Sequence, residues 1–383
     1  MSTYYHPPSP SQSQSEHSPE PECEGSNIGI TSIPPTLPEP LTKHADLWFF
    51  DGSVILQAET VLFRVHKSQL SRRSIVFSDM FTLPQPPVMT THATLADETY
   101  EGCPVVKLHD SAEDVTNLLL ALYDGPKFGN NDPQDFAIVS GILRLSTKYA
   151  IDSLRSKAIT HLNMAWPTTL KDWDSREDKA HAYELTSSTG HASLYPSPID
   201  VINLARLTNA PSLLPAAFYD ISRYTFAQIF EPIDDEPSHF RGIFGGGMLC
   251  ADDMRRLALG KEASAHAVSA VIHGMGRGPL AHSRKGAFSV HSHSPAHSPV
   301  SVCATPGACR RDFAELVALA TQHYVCDRER GYADPLYVAE ELGALKSADV
   351  SECRACARAL EVWAAKERER MWKMIPLWFR LES

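Results

Sequence analysis

The amino-acid sequence predicts an α+β fold, in which a small β-sheet comes first and an all-α region follows. Two observations within residues 46–81 lead to this prediction. Two apolar, β-branched runs flank the polar segment 58–60, which is the pattern of a β-hairpin. From Lys67 onwards the apolar residues are spaced seven and four apart, which is the spacing of a helix face. The chain therefore changes from strands to helices at His66-Lys67.

The hairpin is predicted from residue type and from periodicity. Its first strand contains the apolar run 54–56. In its second strand Val61, Phe63 and Val65 are spaced two apart, so their side chains share one face. An apolar strand face of this kind has to be buried, and the helices that follow directly in the chain are the nearest elements that can pack against it.

Two short helices are predicted after the hairpin. Leu70, Phe77 and Phe81 form their buried stripe. Ser68 and Ser74 are predicted to be the N-caps, because a serine oxygen accepts a hydrogen bond from a backbone N–H that lacks a helical partner.

One more strand, over residues 105–108, and three helices complete this first unit. Asp110 and Glu113 form a capping-box-like start for the first of these helices. Gly125 is placed to end that helix as a left-handed C-cap, and Pro167 is placed to end the third.

Several segments of this unit together resemble the BTB/POZ domain. The string over 66–81 reads His-Lys-x-x-Leu-x-x-x-Ser-x-x-Phe-x-x-Met-Phe, and similarity continues through PVVKLHDSAEDVTNLLLALYDGP and LRLSTKY. The phrases FTLPQPP, YEGCPVV and PTTLKDW are similar to BTB proteins of mushroom-forming fungi. The resemblance covers residues 44–165. It implies a small β-sheet clasped by helical hairpins, and self-association through that domain.

Composition divides the chain into five segments. A Pro-, Ser- and Glu-rich N-terminal arm is predicted to be disordered, and a His-, Ser- and Pro-rich insertion is predicted to be disordered inside a helical C-terminal domain. The segments are the arm 1–43, the BTB/POZ domain 44–165, the first helical part 166–272, the insertion 273–311 and the closing helical part 312–383.

Three features are predicted within the helical region. A helix is expected to start behind Asp200, and a short helix over Ala251–Leu259 is expected to end at Gly260. The aromatic ending Trp372–Leu381 is predicted to be a docked tail, because such side chains stabilise a terminus when they are buried.

Composition also excludes several classes of protein. The hydrophobic content of 43% and charged content of 21% allow a sizeable core. The formal charge of −11 argues against non-specific binding of nucleic acid, which needs a basic surface. No apolar run reaches the length of a membrane span, no signal-like segment starts the chain, and the eight cysteines are too sparse for a disulfide scaffold. We expect an intracellular protein, in the cytoplasm or the nucleus.

The residue types of a hydrolytic triad occur near the strand–helix junction, as Asp46, Asp51, His66 and Ser68. A nucleophile elbow, a glycine-rich oxyanion loop and a phosphate-binding loop are all missing from the sequence. We therefore predict no catalytic residues, no enzymatic activity and no cofactor, and we expect the His66 ring to be hydrogen-bonded to backbone.

A metal site is considered because Cys353-x-x-Cys356 has a spacing that can share one tetrahedral zinc ion. Cys303 and Cys309 flank the insertion, however, and the later pair lies on an apolar helical stripe, where cysteine behaves as a small hydrophobe. We predict buried thiols and no metal, and zinc binding by these cysteines and Cys326 stays open. Histidines of the insertion are predicted to be solvated; they are His282, His291, His293 and His297.

The remaining hypothesis for residues 46–67 is recognition of a protein partner. In animal BTB proteins an acidic residue of the first strand and a basic residue after the histidine form a charged pocket at the dimer groove. The resemblance places Lys67 at the basic position, while the acidic position falls near Ser53, with Asp51 and Asp46 earlier. The alternative is that Lys67 is an exposed lysine at a helix start.

The predicted function is a non-enzymatic protein–protein interaction module that self-associates and acts as a scaffold or adaptor. Asp46, Asp51, His66 and Lys67 are its candidate interaction residues, and its partners are a second copy and another protein. One alternative is a substrate adaptor of a cullin-type ubiquitin ligase, although the loop after Met80-Phe81, in which Thr99 precedes Tyr100-Glu101, has no clear hydrophobic-x-Glu signal. A second alternative is a transcriptional regulator, although no DNA-reading motif is present.

Overall fold

A computed structural model of the chain describes residues 40–83, 99–186, 193–230, 247–277, 303, 305–326, 334–346, 349–350 and 352–381. A small five-stranded sheet lies in the first part, and helices make up the rest. The predicted α+β class is confirmed at this level.

The sheet has the strand order β1-β3-β2-β5-β4. β2 and β3 pair antiparallel, β1 is parallel to β3, β5 is parallel to β2, and β4 is antiparallel to β5. The strands are β1 (Thr42–Trp48), β2 (Val54–Ala58), β3 (Val61–Val65), β4 (Thr99–Tyr100) and β5 (Cys103–Leu108).

The predicted hairpin is β2–β3, and it turns at Glu59, whose φ of 50° is left-handed. Side chains alternate between the two faces of the sheet, as the period-two pattern requires. Phe63 and Val65 join the core beneath the helices, whereas Ile55 and Leu62 face the other side.

Helices α1 (Lys67–Arg73) and α2 (Ile75–Thr82) follow the hairpin. Ser74 is the N-cap of α2, because its hydroxyl accepts from the Phe77 N–H at 3.0 Å. The prediction for Ser68 is wrong: the N-cap position of α1 is His66, which makes no side-chain cap hydrogen bond. Ser68 comes two residues after the N-cap position, inside the helix.

Helix α3 (Ala112–Tyr123) starts one residue later than predicted, since its cap is Ser111, which accepts from the Asp114 N–H at 3.1 Å. Gly125 follows the helix with a φ of 89°, as a left-handed residue at its end. Helices α4 (Pro133–Lys148) and α5 (Asp152–Leu162) complete the first unit.

Eight further helices form the second half of the described chain. Their bounds are α6 (Leu170–Thr186), α7 (Pro198–Leu207), α8 (Leu214–Ser222), α9 (Phe226–Phe230), α10 (Ala251–Met275), α11 (Pro306–Thr321), α12 (Pro335–Gly343) and α13 (Arg354–Trp378).

Several predicted boundaries in this half are wrong. Asp200 lies inside α7, whose cap is Ser197. Helix α10 does not stop at Gly260 but runs on to Met275. Gly260 lies inside the helix against the ring of Phe379, where a side chain would not fit.

Both segments predicted to be disordered contain residues that the structure places in regular elements. Residues 273–275 end α10 and residues 306–311 begin α11, so the prediction is wrong for them, and residues 278–302 of the insertion lie outside the described residues. The N-terminal arm was predicted to include residues 42 and 43, which instead open β1, and its first 39 residues lie outside the described part.

Two apolar cores share the helices α4 and α5. Ile142 and Leu154 pack into the core under the sheet. Leu143 and Ala158, on other faces of the same helices, pack into the core of the helical half. The described residues from Leu41 onwards accordingly belong to one compact unit. Among them, no helix combines the length and the apolar character needed to cross a membrane.

Candidate functional site

His66 lies at the junction of β3 and α1 and is held by two side chains. Its Nε2 is 3.1 Å from Asp51 Oδ1, and its Nδ1 is 2.9 Å from the Tyr123 hydroxyl. The expectation that the ring is hydrogen-bonded to backbone is therefore wrong. Asp51 reaches it from the turn after β1, and Tyr123 from the end of α3.

The hydrogen bonds around Tyr123 define the orientation of the His66 ring. The Tyr123 hydroxyl oxygen accepts from the His66 backbone N–H at 3.0 Å. Burial raises the pKa of Tyr123, and the Asp51 carboxylate raises it further, so this phenol keeps its proton near neutral pH. It can donate that proton to Nδ1, which places a proton on Nε2 facing Asp51.

Lys67 and Ser53 meet at the same junction. The Lys67 backbone N–H donates to the Ser53 hydroxyl at 3.0 Å, so Ser53 satisfies a free donor at the start of α1. The Lys67 ammonium lies 5.6 Å from the centroid of the Phe81 ring. Lys67 is therefore only half-exposed, and it covers part of the apolar stripe of α2.

Asp46 is separated from this group. It is an exposed residue of β1, and its backbone N–H donates to His44 Nδ1 at 3.2 Å. The structure thus brings Asp51, His66 and Lys67 to one junction and leaves Asp46 on the strand. The residue types of a triad do not assemble, since both nitrogens of the His66 ring contact groups other than Ser68.

Large apolar side chains are exposed at several positions between residues 41 and 83. Phe50, in the turn between β1 and Asp51, is 88% exposed, and Ile75, at the start of α2, is 64% exposed. Leu41 and Leu83, which precede β1 and follow α2, are also exposed. Periodicity does not identify these exposed residues, because an apolar residue in a strand or helix pattern is predicted to be buried.

A second group of side chains covers the other face of the sheet. The Lys43 ammonium pairs with Glu101 and lies 4.7 Å from the centroid of the Trp48 ring. Trp48 packs edge-on against Tyr100. Glu101 is therefore paired with a side chain of its own chain. It lies in the segment where a cullin-binding protein is expected to have its hydrophobic-x-Glu signal.

Four cysteines from two distant segments converge in the helical half. Cys309 lies in the first turn of α11, and Cys303 precedes that helix. Cys353 is the N-cap residue of α13, and Cys356 lies in its first turn. All four sulfur atoms lie within 4.8 Å of one another.

This convergence corrects one step of the sequence analysis. Cys303 and Cys309 were expected to lie apart from the later pair, beside the insertion. Instead Cys309, Cys353 and Cys356 are buried, Cys303 is half-buried, and the Cys303–Cys309 sulfur distance is 3.6 Å. Cys326 is exposed and outside the cluster. The signal in the sequence was the Cys-x-x-Cys spacing of residues 353 and 356, with two further cysteines upstream.

Comparisons with known proteins add no relative. A scan against models of protein families and a search of curated proteins both found no match for this chain.

Proposed function

We propose that the chain is a non-enzymatic protein–protein interaction module of the BTB/POZ type, which self-associates through residues 44–165 and serves as a scaffold or adaptor. The proposal rests on the motif resemblance across that segment and on the exposed apolar side chains between residues 41 and 83.

The observation that carries the proposal is the exposure of Phe50 and Ile75. A phenylalanine that is 88% exposed on a turn leaves nearly all of its apolar surface in water. Burying such a side chain between two chains is worth about 1.5–3 kcal/mol. Leu41 and Leu83 add exposed apolar surface to the same segment of the chain.

The polar residues beside Phe50 fit the edge of such an interface. Asp51 is largely exposed and its carboxylate lies 3.1 Å from His66 Nε2, so it is oriented without being buried. Asp46 is exposed on the edge strand β1. Interfaces commonly place apolar anchors at the centre and polar groups at the rim.

The contacts of His66 support a structural and not a catalytic role. Its ring is fixed between Tyr123 and Asp51, and Tyr123 is a half-buried phenol whose raised pKa keeps it neutral. A general base needs a nucleophile within hydrogen-bond reach, and here those positions are taken by a carboxylate and a phenol.

The test is the oligomeric state of the full chain. We expect a dimer or larger homomer by light scattering at tens of micromolar, where an interface of standard size should be occupied. Phe50→Ser and Ile75→Asp should shift the protein towards monomer. Leu207→Asp is the matched control, because Leu207 is 69% exposed on α7, in the helical half.

The three variants should fold like the parent, as judged by circular dichroism, because exposed side chains contribute little to the folded monomer. A parent chain that stays monomeric at this concentration would overturn the proposal. Equal effects of Leu207→Asp and Phe50→Ser would place the interface elsewhere.

A further inference from the structure

We propose that Cys303, Cys309, Cys353 and Cys356 together bind one zinc ion in a closed, tetrahedral, structural site.

The geometry of the sulfur atoms supports this inference. Zinc binds thiolate at about 2.3 Å with tetrahedral geometry, so two sulfurs of one site lie about 3.8 Å apart. The Cys303 and Cys309 sulfurs are 3.6 Å apart, and all four lie within 4.8 Å of one another. Small movements of the side chains would place every sulfur at bonding distance from one central ion.

The starts of two helices bring the cysteines together. Cys309 and Cys356 lie in the first turns of α11 and α13, Cys303 precedes α11, and Cys353 is the N-cap residue of α13. Two helix N-termini therefore meet at the cluster, and each supplies one pair of ligands.

The position of Cys303 distinguishes a metal site from ordinary packing. The other three cysteines are on or next to helices whose apolar faces are buried, so packing alone would explain them. Cys303 precedes its helix, so helical packing does not dictate its position, and yet its sulfur lies against Cys309. A fourth ligand from outside the helices completes a set of four.

Four protein sulfurs leave no position for water or substrate, so the ion would be structural and not catalytic. Soft thiolate ligands in tetrahedral arrangement select zinc or an iron–sulfur centre over hard cations. The ion would fasten the start of α11 and the residue before it to the start of α13. Part of the folding free energy of the helical half would then depend on metal.

The first experiment measures metal content of the full chain, purified under reducing conditions without added metal. We expect about one equivalent of zinc per chain by elemental analysis. Replacing zinc by Co²⁺ should produce the visible absorption of tetrahedral cobalt with thiolate ligands, which reports ligand type independently of folding stability. Zinc should be absent or strongly reduced in Cys303→Ser, the variant that disturbs the buried core least.

Cys326→Ser is the control, because Cys326 is exposed and outside the cluster. It should retain zinc and the melting temperature of the parent. A strong chelator should lower the melting temperature of the parent and of this control, and it should leave the already weakened Cys303→Ser variant unchanged.

Three results would overturn the proposal. Metal-free protein with all eight thiols reactive after unfolding would show that the cluster is packed thiols only. Loss of thiol titre without reductant, restored by reductant, would identify disulfides. Stoichiometric iron would identify a different centre. None of these results depends on the oligomeric state, so they leave the proposed function untouched.

Discussion

Gly260 lies in the middle of α10 directly beneath the ring of Phe379. A Cβ at residue 260 would be 1.9 Å from Phe379 Cε1 and 2.0 Å from Cδ1, far inside van der Waals contact. Phe379 is fully buried and packs against Phe218, so its ring has little room to retreat. The glycine therefore permits the end of the chain to dock on α10.

This close approach gives the first prediction. Gly260→Ala should destabilise the protein by about 1–3 kcal/mol, as overpacking of a core does, even though alanine favours a helix by about 1 kcal/mol. The measurement is urea unfolding. Gly307→Ala is the control, because a Cβ at residue 307 in α11 would meet no atom within 4 Å.

Gly260→Ala should lower the free energy of unfolding by less in a Phe379→Ala background, since residues 260 and 379 are in contact and their effects couple. Additive effects of the two changes would show that the ring is not what excludes a side chain at residue 260.

Asp135 is the second residue whose role depends on precise contacts. It lies in the first turn of α4, and its carboxylate accepts from the Gly129 N–H at 2.7 Å and from the Asn131 N–H at 2.8 Å. It also contacts His161 Nε2 at 2.6 Å. Burial alone would raise its pKa, but these three donors outweigh burial and hold the pKa below the usual range.

The second prediction concerns acid. Because the pKa of Asp135 is lower in the folded chain than in the unfolded chain, its contribution to stability is complete above the unfolded value of about 3.9 and is lost as the pH falls through the folded value. Asp135→Asn should cost about 3 kcal/mol at neutral pH. The difference between variant and parent should shrink below about pH 4.

Asp132→Asn is the control for this measurement. Asp132 is the N-cap of α4 and accepts from the Asp135 N–H at 2.8 Å. Asparagine caps a helix about as well as aspartate, so this change should be nearly neutral. A pH-independent cost of Asp135→Asn would contradict the assigned role of the carboxylate charge.

At the scale of elements, a buried ionic network joins α6, α8 and the start of α12. The Arg176 guanidinium is 4% exposed and contacts Asp220 at 2.6 Å. Arg223 also pairs with Asp220, and it lies 3.5 Å from Asp334, the N-cap of α12. Burial would raise the pKa of Asp220, but Arg176 and Arg223 outweigh that effect and lower it.

The third prediction follows from the burial of this network. Asp220→Ala should destabilise the chain by about 3–5 kcal/mol, because it removes the buried carboxylate that Arg176 and Arg223 share and leaves only the more exposed Glu177 and Asp334 as their acidic partners. Replacing Arg176 by Met at the same time should recover part of the loss. Thermal and urea unfolding measure both effects.

Asp252→Ala provides the comparison at the surface. Its partner Arg255 is 70% exposed and Asp252 itself 68%, so this pair should contribute at most about 1 kcal/mol. If the two aspartate variants lose the same stability, the buried network has no special role in joining the three helices.

At the scale of the whole molecule, the end of α13 closes the helical core. Trp372 donates from Nε1 to the Thr168 carbonyl oxygen at 3.0 Å, while Ile375, Trp378 and Phe379 are buried. The predicted docking of the aromatic tail is confirmed. It is the last turns of α13 and the residues that follow that dock, rather than a separate segment.

The fourth prediction compares two changes of chain length. Deleting the chain from Trp372 onwards should give insoluble or protease-sensitive protein, since each buried side chain that it removes contributes about 1.5–3 kcal/mol. Replacing residues 278–300 with a Gly-Ser linker about half as long should alter stability by only about 0.6 kcal/mol, which is the change in loop-closure entropy.

The replacement must stop short of Cys303, and it must leave Met275, which is fully buried at the end of α10. Limited proteolysis and melting curves distinguish the two variants. A stable tail deletion beside an unfolded linker variant would reverse the roles of these segments.

Local patterns in the sequence predicted the elements well. The hairpin, the cap at Ser74 and the left-handed Gly125 each depend on residues within a few positions of one another, so periodicity and residue type are sufficient. Where two local signals compete, the predicted helix boundary is wrong. Ser111, next to Asp110, is the N-cap of α3, and Gly260 lies inside α10 although a glycine often ends a helix.

Contacts between distant residues were decided only by the tertiary structure. Asp51 and Tyr123 hold His66 from two other elements, and Phe379 meets Gly260 across the core. The sequence by itself determined that the chain is α+β, with strands first and helices after, because that order depends on local periodicity. Which cysteines share one site was decided by how α11 and α13 pack, since packing brings together helix starts that are far apart in the chain.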